Sequence, residues 1–296
     1  MKALRSVGTH RVGGLTAELL NAIACGAEPR ADMALLLAHA RKNKVLLHAL
    51  RALNVQGYVR EQQELSMRRV VERVEALSKV LKDYNCAFFK LIKPLSYVPA
   101  DLDLLVDAGQ VKAVACELMK LGYAVAVKDP YCLTLTKGDS IVDLYVHPCL
   151  GRVVFIDGQR LLEHSCTAEF NGVEVKSLES YAEALVASSH AVYKERIYTL
   201  NDYFTVEEWT SKRALKLAQE LKCEEALETA ISLNRKIRLG VLETPYKIPL
   251  PTWIAMLARK FRADPLTRAT STGVLKALIG KRAGELLTSK LLRETY

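Results

Sequence analysis

The segment Asp101-Leu102-Asp103-Leu104-Leu105-Val106 sets two carboxylates two positions apart in an otherwise apolar run. Side chains alternate across a strand, so both acids project from one face. Burying one charge is costly, and burying two adjacent like charges is costlier unless a cation compensates them. Forty residues after Asp103, Asp143 interrupts a second run of the same quality, Ile141-Val142-Asp143-Leu144-Tyr145-Val146. If that strand lies beside the first, three carboxylates converge on one patch, with oxygen ligands and negative charge that suit Mg²⁺ (or Mn²⁺) better than a softer metal. Two such ions can bridge triphosphate oxygens and activate an attacking hydroxyl, as in-line phosphoryl or nucleotidyl transfer requires. Asp143, bound to the hydroxyl-activating ion alone, is then placed to orient the nucleophile or accept its proton.

The sequence around these strands divides into three. From about Leu15 to Lys82 it is rich in Ala, Leu, Glu, Arg and Lys, with Leu65, Val70, Val74, Leu77 and Leu81 at helical spacing; Pro29 and Gly57 punctuate it into about three helices. Between Asn85 and Val175 the period shortens. A strand over Ala87–Leu91 and the acid-bearing strand precede a helix over Val111–Leu121 that stops at Gly122. A three-strand meander comes next over Tyr123–Lys128, Tyr131–Thr136 and Ile141–Val146, the last entered through Lys137-Gly138-Asp139-Ser140. Asp157-Gly158, Asn171-Gly172 and the alternation at Val173-Glu174-Val175 predict one or two further edge strands. From Leu178 the pattern is helical again: one long helix over Tyr181–Tyr198, one or two over Ser211–Leu239, a loop at Pro245, Pro249 and Pro251, and two or three closing helices. The expectation is an α+β protein, a small mixed sheet over residues 84–177 between an N-terminal helical region (1–83) and a basic C-terminal helical domain (178–296).

Charge matches this division. The chain carries a net charge of +9, but residues 84–210 have 11 basic and 17 acidic side chains, whereas residues 1–83 have 14 and 8 and residues 211–296 have 17 and 8. An acidic centre between basic flanks fits metal-binding carboxylates beside surfaces that attract a polyanion. The clusters Arg235-Lys236-x-Arg238, Arg259-Lys260-x-Arg262 and Lys281-Arg282 predict sequence-nonspecific contact with a structured RNA, since few aromatic residues accompany them for base stacking. The densest apolar stretch, Met33–Ala40, is far too short to span a bilayer, and the first fifteen residues lack the apolar core of a secretory signal. Seven scattered cysteines form no Cys-x-x-Cys pair. An intracellular, cytoplasmic protein with reduced thiols is expected. The units His147-Pro148-Cys149 and His164-Ser165-Cys166 come after strands without the spacing of a zinc knuckle, so buried thiols are expected there too.

The stretch Phe88–Pro148, with its Asp-x-Asp strand and third strand Asp, resembles the catalytic core of the polymerase-beta-like nucleotidyltransferase superfamily. It is most similar to an uncharacterised archaeal and bacterial branch with a Lys-containing strand before the acids and a helical C-terminal extension. The resemblance implies a mixed sheet flanked by helices, two divalent ions, and a nucleoside triphosphate such as ATP as donor. It makes Asp101 and Asp103 the paired metal ligands and Asp143 the third acid. Most members hold the donor phosphates with a Gly-Ser pair at a helix N-terminus. The corresponding window, Phe89 to Tyr97, has no glycine, leaving Lys90, Lys93 and Ser96 as phosphate contacts. In related enzymes a helix beside the acids lends polar side chains to the nucleotide, a role that falls here on His190 and Lys194. Two rival readings share these residues. One keeps the fold without the chemistry, as a nucleic-acid-binding or scaffold module. The other is a metal-dependent nuclease, disfavoured because no Lys stands one or two residues after a strand acid.

Overall fold

The computed structural model describes residues 14–271 together with Arg293 and Thr295; Lys281, Arg282 and Tyr296 lie outside the described residues. Four helices open the chain: α1 (Leu15–Cys25), α2 (Met33–Lys42), α3 (Leu46–Ala52) and α4 (Tyr58–Leu81). The sequence pattern predicted three. The additional break falls at Asn43-Lys44, where Lys44 takes a left-handed backbone (φ 59°) that no Gly or Pro announces. α4 buries Met67, Val70, Val74, Leu77 and Leu81, a stripe at three- and four-residue spacing.

The sheet comes next. Its strands are β1 (Cys86–Phe89), β2 (Leu102–Val106), β3 (Ala124–Asp129), β4 (Cys132–Lys137) and β5 (Ser140–Tyr145), with α5 (Val111–Lys120) crossing between β2 and β3. A small hairpin, β6 (Cys149–Leu150) and β7 (Val153–Val154), and the short α6 (Gly158–Leu162) lead to β8 (Ser165–Phe170) and β9 (Val173–Leu178). The strand order is β3-β4-β5-β2-β1-β9-β8, with β2 parallel to β5 and β1 parallel to β9 and the remaining pairs antiparallel. β9 was expected at an edge. It lies inside the sheet, where the buried Ser177 hydroxyl donates to the carbonyl of Phe88 at 3.1 Å.

Alternation along β1, β2 and β5 sends Phe88, Leu102, Leu104, Val142 and Leu144 to one core with α4 and α5. Ala87, Phe89, Leu105 and Tyr145 go to the other, together with Leu185 and Val186. Those two belong to α7 (Ser180–Ser189), a helix buried from Tyr181 through Ser189. The long helix expected over Tyr181–Tyr198 is interrupted. After Ser189 the backbone widens into a π-helical turn over His190–Glu195, Arg196 turns left-handed (φ 61°), and β10 (Ile197–Tyr198) pairs with β11 (Tyr246–Lys247). Helices α8 (Leu200–Trp209), α9 (Lys212–Glu220) and α10 (Glu224–Arg238) precede β11, and α11 (Leu250–Ala263) and α12 (Pro265–Thr270) come after it. No helix among the described residues is long and apolar enough to cross a membrane.

The N-terminal helices share a core with the C-terminal ones: Leu19, Leu36 and Leu50 pack in one cluster with Tyr198, Tyr203 and Leu233. A buried asparagine joins the two regions. Asn43 Nδ2 donates to the carbonyls of His39 and Thr244 at 3.1 Å each, and its Oδ1 accepts from the Leu200 amide at 3.0 Å. One basic residue of the C-terminal clusters is withdrawn from any surface. Lys260, 2% exposed, donates to the carbonyls of Leu221 and Lys222 and pairs with Asp264 at 2.8 Å, so the expectation that it contacts a polyanion is corrected. Its charge is consumed inside the fold, where carbonyls without that donor would be left desolvated.

Replacing Asn43 by Ala strands the buried Leu200 amide and one acceptor on Thr244, and is expected to lower the unfolding free energy by roughly 2–4 kcal/mol. Urea denaturation measures it. A change near zero would mean that the N-terminal helices do not depend on this link.

Candidate functional site

Register brings the acids together. β2 and β5 run parallel with Asp103 directly opposite Asp143, and β1 places Phe89 opposite Asp103 on its other side. Asp101 stands two residues earlier, just before β2 begins. One carboxylate oxygen from each of the three lies within 4.8 Å of the others. Asp103 is 5% exposed. Its Oδ2 lies 2.6 Å from Lys90 Nζ, while its Oδ1 is buried with no hydrogen-bond partner. Burial pushes the Asp103 carboxyl up to about 6; Lys90 pulls against that rise and Asp101 adds to it. Asp143 is likewise raised by burial, opposed by the Thr134 hydroxyl, which donates to its Oδ1 from the paired position on β4.

Lys90 is held in place by its backbone. It leaves β1 in a left-handed conformation (φ 62°), and its amide donates to Glu183 Oε1 at 2.7 Å. Glu183 comes from α7 and is 1% exposed. Its Oε2 stands 3.7 Å from Lys93 Nζ, so one buried carboxylate organises the start of the loop between β1 and β2. Burial alone would lower the Lys90 ammonium, but Asp103 and Asp101 outweigh it and hold the group above its ordinary value.

Asp101 and Asp103 line a cavity of about 510 Å³, and Lys90, Lys93, His190 and Lys194 line it with them. The π-helical turn carries His190 and Lys194: His190 Nε2 stands 3.7 Å from Glu195 Oε1, and Lys194 Nζ donates to the Tyr145 hydroxyl at 3.2 Å. Of the residues expected to contact phosphates, Ser96 points elsewhere. Its hydroxyl accepts from Arg51 Nη1 at 2.8 Å and its amide donates to His48 Nδ1, and it does not line this cavity. The segment 90–101 forms no helix, so no helix N-terminus faces the acids from there. His147, two residues beyond β5, accepts from the Gly158 amide at its Nδ1 (2.9 Å). Among the described residues the acidic trio is the group of three or more His, Cys, Asp or Glu side chains close enough to hold one metal ion.

Sequence reasoning missed Arg41 and Lys44, which line the cavity from the end of α2 and from the break after it, as well as Glu183 and Thr134. The basic run Arg41-Lys42-Asn43-Lys44 was visible, but nothing local ties it to acids sixty residues away. Glu183 carried a signal that can be read: it is the one acid inside Ala182–Ala187, a segment otherwise apolar on every side.

No family model matches the chain, and no curated protein matches it in sequence. Among solved structures, the chain is similar to ANT(2")-Ia in complex with adenylyl-2"-tobramycin, with 11% identity, 58% of this chain and 95% of that chain covered, and a TM-score of 0.31. The class that the described residues define is an α+β protein, its mixed seven-stranded sheet flanked by helices, with a carboxylate trio able to hold a metal ion.

Burial raises the Glu183 carboxyl above the ordinary carboxylate range, against the pull of Lys93. The folded chain therefore holds that proton more tightly than the unfolded chain, and stability falls as pH rises from about 4.3 through the raised value. Glu183→Gln keeps an acceptor for the Lys90 amide and is expected to flatten this fall when unfolding in urea is followed between about pH 4 and 7. An unchanged slope would mean that the carboxyl carries no desolvation penalty.

Proposed function

We propose that the chain is a nucleotidyltransferase of the polymerase-beta-like superfamily. It would use Mg²⁺ or Mn²⁺ to transfer an NMP group from a nucleoside triphosphate, ATP among them, to a hydroxyl of an acceptor that is RNA, protein or a small molecule. The observation that carries this reading is the buried Asp103, whose Oδ1 lacks any partner while Asp101 and Asp143 bring further carboxylate oxygens within 4.8 Å. A desolvated, unpaired carboxylate oxygen is costly in a native fold unless a ligand completes it. Three carboxylate oxygens gathered this closely are the hard, negatively charged donors that Mg²⁺ or Mn²⁺ would take. Asp101 and Asp103 would hold the metal with Asp143. Bound there, divalent ions would neutralise phosphoryl oxygens and acidify a hydroxyl.

The chain's own groups supply the rest. Lys93 and Lys194, with Arg41 and Lys44 from the N-terminal helices, put positive charge along the cavity where a triphosphate would lie. Asp143, steadied by Thr134, would orient the acceptor hydroxyl and take its proton. The cavity volume of about 510 Å³ falls in the range of small-molecule sites, about 300–1,000 Å³. In this reading residues 84–177 form the catalytic core and the helices of residues 1–83 cap it. Exposed Arg235, Lys236 and Arg262 leave the C-terminal region a surface for RNA.

Incubation of the full chain with each α-labelled nucleoside triphosphate and Mg²⁺ or Mn²⁺ is expected to release pyrophosphate and label an acceptor. Asp103→Asn should reduce that turnover by more than about a hundredfold. Failure of both proteins to bind any nucleotide would end the proposal. The rival reading, a nucleic-acid-binding module on the same fold, draws on the absence of a helix at 90–101. It calls for strongly salt-dependent RNA binding that Asp101→Ala leaves unaltered.

A further inference from the structure

Lys90 differs from the other cations of the cavity in what it touches. Its ammonium lies 2.6 Å from Asp103 Oδ2, against a carboxylate proposed as a metal ligand, while Oδ1 stays without a partner. The backbone on which it rides is fixed by the Glu183 carboxylate at 2.7 Å, so the side chain alone is left to move. In that same position the ammonium stands 5.2 Å from the centre of the Phe89 ring and 5.7 Å from that of Tyr145, both within cation–π range, so two aromatic faces border the space it occupies. An ammonium hydrogen-bonded to a carboxylate opposes a divalent ion approaching the same group, because two cations then crowd one pair of oxygens. The same ammonium is a strong phosphate ligand once it is released.

From this geometry we infer that Lys90 is an exchangeable internal counter-ion: it neutralises Asp103 while the site holds no metal, gives way to the divalent cation, and turns to the donor's phosphates. The inference rests on the metal-binding reading of the trio. No bond is made or broken in the exchange. Its consequence is reciprocal coupling, since a triphosphate that holds the displaced ammonium makes the metal bind more tightly and the metal does the same for the triphosphate.

Binding of Mn²⁺ to the full-length chain, followed by electron paramagnetic resonance of the free ion, tests the exchange. Lys90→Met should bind Mn²⁺ about tenfold more tightly than the wild type, the lower end of what a hydrogen bond to a charged group contributes. Lys90→Arg, which keeps a cation against Asp103, should stay near the wild type. Equal affinity in wild type and Lys90→Met overturns the inference while leaving the metal site standing. Absence of Mn²⁺ binding in both proteins removes the inference and the metal reading together. A second measurement needs no variant and no assumption about its folding. Acylation of Lys90 by an amine-reactive reagent, quantified by mass spectrometry on the wild type, should rise when Mn²⁺ is added and fall again when a nonhydrolysable ATP analogue is then supplied. Labelling that Mn²⁺ leaves unchanged overturns the exchange.

Discussion

The parallel pairing of β2 with β5 is the constraint on which the site depends. It sets Asp103 opposite Asp143 and forces two carboxylates into neighbouring positions on a largely buried sheet face. Asp103 is buried there and cannot turn away to solvent, while Asp143 beside it is half-buried. The resulting electrostatic stress is visible in Asp103, whose carboxyl is pushed up to about 6 by burial. Lys90 and Thr134 relieve part of it, one on each acid, and the unpaired Oδ1 of Asp103 marks what they leave unrelieved. Local stability is given up here for a concentration of negative potential, as at sites that bind cations.

Around that pair the chain assembles a counter-charge. Glu183 fixes the loop leaving β1 through the Lys90 amide and lies beside Lys93. The π-helical turn that ends α7 carries His190 and Lys194 to the cavity, Lys194 against the same Tyr145 ring that Lys90 approaches from its own side. π-helical turns are rare and recur at functional sites, where one extra residue re-aims the side chains after it. The left-handed Arg196 and the short ladder of β10 with β11 lock this widening from its C-terminal side. The N-terminal helices complete the wall with Arg41 and Lys44. The Asn43 amide holds that wall through bonds to residues about 160 and 200 positions away.

Much of the architecture was legible along the chain. The meander, the α5 crossover and the acid-bearing strands appeared within a residue or two of their expected places, because alternation of apolar residues, Gly-containing turns and helical spacing are local signals. Three expectations failed, two of them to a non-local cause. The break between α2 and α3 is a left-handed lysine closed by bonds of its own helix end, the Lys44 amide to the Arg41 carbonyl and the Val45 amide to the Ala40 carbonyl, with no Gly or Pro to announce it. β9 is interior because β1 pairs with it across more than eighty intervening residues. The long helix after Ser180 is broken by a strand partner that arrives only at Tyr246. The reassignment of Lys260 has the same character: a lysine in a basic cluster looks like surface charge until the carbonyls it serves are known.

At the site, the sequence by itself determined the kind of chemistry on offer. Two acids two apart on an apolar strand must share a face, and a third acid in a comparable strand is their natural partner; both statements need only the alternation of side chains. Tertiary structure decided which groups surround them. It drew Lys90 onto Asp103, set Glu183 under the Lys90 amide, brought Arg41 and Lys44 to the cavity, and turned Ser96 toward Arg51 instead. The reason is one of range. Strand periodicity is set by covalent geometry and holds wherever the strand forms, whereas the partner of a buried charge is set by sheet order and helix docking, which depend on contacts among residues far apart in the chain.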